Sequence, residues 1–157
     1  MSDSGSVAVQ GLAELERKLE GLTNELAGKA LYSALNVALT PVVKEAKQRA
    51  LVASEPHEMN GTIIQPGLLA SAIRKKRVPK GEMVGELANG AAMGVFIGKG
   101  TKQKIYPRYW HFVENGTVKM AATPFLRPAF DNNINVMIAK FSEKLSANID
   151  KFTRQSS

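Results

Sequence analysis

The 157-residue chain contains no cysteine. That excludes thiolate zinc sites, disulfide frameworks and cysteine nucleophiles, and it suits a reducing compartment. Histidine is nearly absent too: His57 stands in a proline-bounded polar stretch and His111 among aromatics. Only Glu114 lies at helical spacing from His111, and one His-Glu pair supplies too few ligands for a metal. No window approaches the roughly 20 apolar residues of a membrane span. The first residues, Met1 to Val9, lack the basic start and apolar run of a signal peptide, so synthesis in the cytosol is expected. No serine sits in a nucleophile elbow, and no carboxylate pair shares an apolar face. The glycines of Gly94 to Thr101 do not make a phosphate loop, because Gly100 separates Lys99 from Thr101. The expectation is a protein without catalysis and without a cofactor.

What is present is enough for a core. The apolar fraction is 44%, and a chain of about 150 residues buries roughly two-thirds of its unfolded surface without a disulfide or metal. The formal charge is +7 and unevenly placed: Arg74 to Arg127 holds 11 Lys and Arg against 3 Asp and Glu. Such a patch suits phosphate, an acidic protein surface or plain solvent.

Hydrophobic spacing sets out the elements. Residues 1–8 read as a disordered arm, 9–153 as one domain and 154–157 as a frayed tail. Leu12, Leu15, Leu19, Leu22 and Leu26 recur at helical spacing and predict a helix from Gly11 to Leu26. Ala30, Leu31, Ala34, Leu35, Ala38, Val42, Ala46 and Ala50 predict a second from Lys29 to Val52. Pro41 predicts a kink there or two abutting helices. Ser54 to Gly67 reads as a loop, and Gly67 to Ile73 as a short helical turn. Strands are expected at Ile73–Val78, Met83–Leu87 and Ala92–Gly98, joined by turns into an antiparallel meander. A basic loop, Lys99 to Arg108, follows, and its mobility in a free subunit is expected. Tyr109 to Glu114 fits a helical turn or a strand. A last helix, N-capped by Thr123, is expected from there to Phe152, with Phe130, Ile134, Phe141, Leu145 and Ile149 on its apolar stripe. The fold class is α+β, with N-terminal helices and a long C-terminal helix packed on an antiparallel β-meander.

The cations Arg74, Lys75, Lys76, Arg77, Lys99, Lys102, Lys104 and Arg108, with aromatics among and after them, are a candidate surface for nucleic acid or a protein partner. Strand alternation sends Arg74 and Lys76 to one face and Lys75 and Arg77 to the other.

Three segments carry a resemblance. They are Val9-Gln10-Gly11-Leu12-Ala13-Glu14-Leu15 with the alanine-rich helix after it, Gly67-Leu68-Leu69-Ala70-Ser71-Ala72-Ile73-Arg74, and Trp110-His111-Phe112-Val113-Glu114-Asn115-Gly116-Thr117 followed by Ala122-Thr123-Pro124-Phe125-Leu126-Arg127-Pro128-Ala129-Phe130. Together they resemble the gene-product-ten-like morphogenesis proteins of lambdoid tailed phages, which are tail-component or neck proteins. Asn115 departs from the aromatic common at that place. The resemblance implies an α+β fold and a structural subunit of the head–tail joining region, made in the host cytoplasm and carried in the virion. It implies action by oligomerisation and docking. The expected partners are further copies in a ring, six favoured over twelve, other neck or tail proteins and DNA in the channel, with no membrane. The alternative is a basic nucleic-acid-binding module.

The third segment also has a physical reading. Gly116 permits a positive φ where the chain reverses. Thr117 continues that turn. Pro124 and Pro128 stiffen the start of the last helix, and Phe125 and Leu126 anchor it in the core. Arg127 is expected to pair with Glu114, since a buried acid needs a partner.

Overall fold

A computed structural model describes residues 14–53, 56–59, 61–79, 82 and 91–156. In chain order these form helices α1 (14–20) and α2 (Asn24–Ala53), strands β1 (His57–Met59) and β2 (Thr62–Ile64), helix α3 (Leu68–Ala72), strands β3 (Ile73–Arg77) and β4 (Met93–Ile97), and helices α4 (Trp110–Asn115), α5 (Leu126–Asp131) and α6 (Ile134–Ser156). The class is α+β. The expected arm at 1–8 and strand at Met83–Leu87 lie outside the described residues.

The first helix ends earlier than its leucine spacing predicts. Gly21 and Leu22 form a turn, with the Gly21 and Leu22 amides donating to Lys18 and Leu19. The Leu26 amide bonds to Thr23 Oγ1, so Thr23 caps the start of α2. Helix α2 is a single 30-residue helix that continues through Pro41, rather than two abutting ones. Its buried face is a ladder of small residues: Ala30, Ala34, Ala38, Val42, Ala46 and Ala50, none more than 5% exposed. Small side chains on one face let other backbones approach closely. By length and hydropathy alone, Asn24–Ala50 could cross a bilayer. The alanine ladder along one of its faces is buried.

Chain contacts gather into two units. One comprises 1–39, 77–93 and 135–157, and the other 40–76 and 94–134. In the first, Leu15, Ala30, Ala34, Leu145 and Ile149 form a buried cluster, with Leu19, Leu22, Leu31, Phe141 and Phe152 partly buried against it. Asn148, almost fully buried, donates to the Ala30 carbonyl at 3.2 Å, which satisfies its amide inside this core.

In the second unit the buried set includes Val42, Ile64, Leu69, Ile73, Val113, Phe125 and Ala129. The stretch expected to be a loop before Gly67 contains an antiparallel hairpin, with His57 opposite Ile64 and Met59 opposite Thr62. Gly61, at φ 79°, lies in its two-residue connection, where I′-type turns need positive φ. Strands β3 and β4 are direct neighbours. Gly98 donates to Ala72 and Val78 to Ala92, so the pair runs antiparallel, with no strand between its members as a meander requires. The ambiguous Tyr109–Glu114 segment is helical. The expected single last helix breaks at Asn132–Asn133 into α5 and α6. That break resets the stripe: Ile134 is 47% exposed, and Phe141 is half-buried rather than central.

Candidate functional site

A cluster of polar contacts lies around α5. Glu114, in α4, is 7% exposed. Its Oε2 accepts the amides of Phe125 and Leu126 at 2.8 and 3.0 Å, and its Oε1 accepts the amide of Arg127 at 2.9 Å. A helix leaves its first four N–H groups without intrahelical partners. In α5 these belong to Phe125, Leu126, Arg127 and residue 128. The last is proline and has no N–H. One carboxylate and one proline therefore account for the whole first turn. Thr123 does not cap it; its amide donates to the Val113 carbonyl at 2.8 Å.

The expected ion pair between Glu114 and Arg127 is not formed. The carboxylate is occupied by backbone donors, and the Arg127 guanidinium reaches Asn115 Oδ1 at 3.4 Å. Geometry explains the difference. A helix N-terminus presents converging N–H groups and a positive dipole end, so it satisfies a buried carboxylate without a cation.

The turn between α4 and α5 depends on Gly116, at φ 74° and ψ 174°. A Cβ there would lie 2.7 Å from the Ala122 nitrogen and 3.0 Å from the Met120 oxygen. Thr117 Oγ1 accepts the amides of Lys119 and Met120, and Thr117 and Met120 exchange backbone bonds. This rigid base presents Val118, fully exposed, and Met120, 43% exposed. Phe125 is fully buried, as an anchor should be, while Leu126, Pro124 and Pro128 are half-buried.

A second carboxylate holds the other end of α5. Glu45, in α2, accepts from Asn132 at 3.0 Å, from Asn133 at 3.3 Å and from Arg49 at 3.0 Å. Burial pushes the Glu45 carboxyl up, but the hydrogen bonds from Arg49, Asn132 and Asn133 and the Arg49 charge outweigh it and hold the group below the usual carboxylate range. Asn133 also donates to the Ala129 carbonyl at 2.7 Å. An Asn-Asn pair in a sequence is a weak helix-break signal, and its acidic partner lies 87 residues away, so this clamp is invisible to local patterning.

The basic residues divide. Lys75 donates to Thr40 Oγ1 at 2.8 Å, and its burial pushes its pKa down. Arg77 lies over the Tyr32 ring, 4.1 Å from its centroid. Arg74 and Lys76 are exposed on the opposite face of β3, with Lys76 6.0 Å from the Phe96 ring centroid. The Arg74 guanidinium donates to the Lys99 carbonyl. It also lies over Gly98, where a Cβ would come within 2.8 Å of its Nη1. Lys99, Lys102, Lys104 and Arg108 are exposed.

The basic loop carrying them makes several hydrogen bonds to neighbouring elements. Gly100 donates to Ile105, and the Thr101 amide donates to Ser71 Oγ. The Gln103 side chain accepts from the Gln65 amide at 3.0 Å and donates to the Ile63 carbonyl at 3.2 Å, pairing with the outer edge of β2 as a peptide group would. Gly100 has no room for a side chain: a Cβ would meet Leu68 at 2.2 Å. Of the two histidines, His111 is exposed and stacks on Trp110, ring centroids 3.7 Å apart. Among the described residues no three His, Asp or Glu side chains converge as a metal site.

In this α+β protein the third sequence segment acts as a strut, with the Glu114 side chain tying α4 to the backbone at the start of α5. A family model described as "Bacteriophage HK97-gp10, putative tail-component" matches residues 13–116. That is about two-thirds of the chain, and the protein belongs to this HK97-gp10-like family of phage structural proteins. The match includes Glu114 and Gly116 and stops short of the Pro124–Pro128 half of the strut. No curated protein and no solved structure is matched.

Proposed function

We propose that the protein is a subunit of the head–tail joining region, a neck or tail-completion protein that acts by self-association and docking. It is made in the host cytoplasm and enters the virion at the head–tail junction. The observation that carries this reading is the turn at 117–120, which exposes Val118 and Met120 on either side of Lys119 on a base held by Glu114, Gly116 and Thr117. An exposed valine and methionine on a stiffened turn have a use once a partner covers them.

Identical subunits around an axis meet through head-to-tail contacts that close into a ring. Six copies are favoured over twelve. Excess like charge works against contact between free subunits, which suits assembly on a preformed head or tail partner. Neighbouring neck or tail proteins are the expected binding partners, with DNA in the channel as a further one. The test is mass measurement of the purified protein across concentration, together with imaging and protein analysis of intact virions. A ring-sized species, or presence at the junction, supports the reading. A strict monomer that is absent from virions overturns it.

A further inference from the structure

The net charge divides along the same boundary as the fold. The unit comprising 40–76 and 94–134 holds 12 Lys and Arg against 5 Asp and Glu, a formal +7, whereas the other unit holds 9 of each. The whole excess of the protein thus belongs to one unit. Two of that unit's five carboxylates are spent internally, Glu114 on the α5 amides and Glu45 on Arg49, Asn132 and Asn133.

Within this unit the exposed face of the β3–β4 pair is built from cations. Arg74 and Lys76 project from β3, Phe96 from β4, and Lys99 follows β4 directly. Arg74 is held by the Lys99 carbonyl, and its Nη1 lies beside Gly98, where a Cβ would come within 2.8 Å of it. This fixes a guanidinium close to the lysine backbone and leaves its remaining N–H groups for another acceptor. No carboxylate occurs in β3, in β4 or in the loop from Gly98 to Arg108. Holding like charges together without an acid favours an anionic partner that brings several charges at once. Protein–protein interfaces are depleted in lysine, whereas nucleic-acid interfaces are far more positive. A two-stranded β-ribbon is also of a size to lie in a DNA groove.

From this we infer that the Arg74–Lys76–Phe96–Lys99 face binds the phosphate backbone of a nucleic acid without sequence preference. Arg74 is placed by Gly98, and Lys102, Lys104 and Arg108 extend the positive field. This inference deepens the proposed head–tail reading, which already counts DNA in the channel as a partner, by naming the face that would meet it.

The test is fluorescence anisotropy of the purified full chain with labelled duplex DNA of two unrelated sequences. The expected affinity is equal for both. It falls roughly 100-fold between 50 and 200 mM salt if about four phosphates are neutralised. The triple variant Arg74→Ala, Lys76→Ala, Lys99→Ala should lower the slope of log affinity against log salt by about 3. A charge-matched control in the other unit, Lys18→Ala, Lys140→Ala, Lys151→Ala, should leave that slope unchanged. Gly98→Ala, which keeps every charge and displaces only the flexible end of Arg74, should weaken binding several-fold. No salt-dependent binding, an equal effect from the control triple, or competition by poly-glutamate as effective as by DNA would overturn the assignment.

Discussion

Glu114 receives the amide of Phe125 at 2.8 Å, joining one short helix to the N-cap residue of the next across eleven positions of sequence. Two further amides share the same carboxylate. Glu114→Ala should therefore destabilise the protein by about 3 kcal/mol or more, since buried N–H groups would lose their acceptors. Arg127→Ala removes one long, exposed contact and should cost less than about 1 kcal/mol. Urea titrations of both single variants and the double variant test this. A coupling energy near zero is expected, and a coupling above about 1 kcal/mol would restore the ion pair.

Gly116→Ala is expected to cost at least about 2 kcal/mol. Its φ and ψ lie in a region where side chains are strained, and strain of that kind costs about 1–3 kcal/mol by itself. The added Cβ would also meet backbone atoms of Ala122 and Met120, which cannot swing aside like a side chain. A thermal melt of this variant gives the loss. A shift of under a degree or two would mean the turn can rearrange freely.

Glu45 predicts a pH dependence. Its pKa is lowered in the folded protein: burial raises it, but the hydrogen bonds from Arg49, Asn132 and Asn133 and the charge of Arg49 prevail. The unfolded chain then takes up a proton at higher pH than the folded one does. The Glu45 contribution to stability is complete above the ordinary carboxylate value of about 4.3. It declines as pH falls from there through the lowered folded value, and is gone below it. Stability curves of the native protein and Glu45→Gln should converge through that acid interval. A gap that stays constant with pH would show that Glu45 does not act through its charge.

The core of the first unit gives a graded pair. Leu145 is 2% exposed, so Leu145→Ala should cost about 2–5 kcal/mol. Phe141 only borders that cluster. Phe141→Ala should fall below the roughly 3–5 kcal/mol typical of a buried aromatic. Denaturant midpoints in the reverse order would place the centre of packing one turn earlier along α6.

Much of this arrangement is legible from residue spacing. The alanine ladder of α2 shows because small residues recur at three and four, and β3 and β4 show because their flanking turns are marked. The alternation that separates Arg74 and Lys76 from Lys75 and Arg77 follows from strand geometry alone. The β1–β2 hairpin carried a signal, Asn-Gly at 60–61, but it sat in a stretch whose prolines read as loop. The end of α5 was hidden because Asn132 and Asn133 gain their meaning from Glu45, far away in sequence. Residue types point to Arg127 as a partner of Glu114, but it is the Arg127 amide, not its guanidinium, that reaches the carboxylate. Sequence displays side chains, whereas a helix N-terminus binds through backbone that every residue possesses. Gln103 escaped for the same reason, since its amide stands in for a strand.

The last prediction separates stability from assembly. Val118 is fully exposed and makes the tip of the Thr117–Met120 turn. A surface substitution away from packed or capped positions usually changes stability by less than about 0.5 kcal/mol. Val118→Asp should therefore melt like the native protein. If the tip docks into another phage protein, the same variant buries a carboxylate in an apolar contact, and an uncompensated buried charge is strongly unfavourable. The expected result is a normally folded subunit whose incorporation into virions, measured against native protein in a complementation experiment, falls at least tenfold. Val118→Ile, which keeps the tip apolar, should incorporate normally. Equal incorporation of the aspartate variant would mean that this turn stays in solvent in the finished particle, and that subunits and partners meet through another surface.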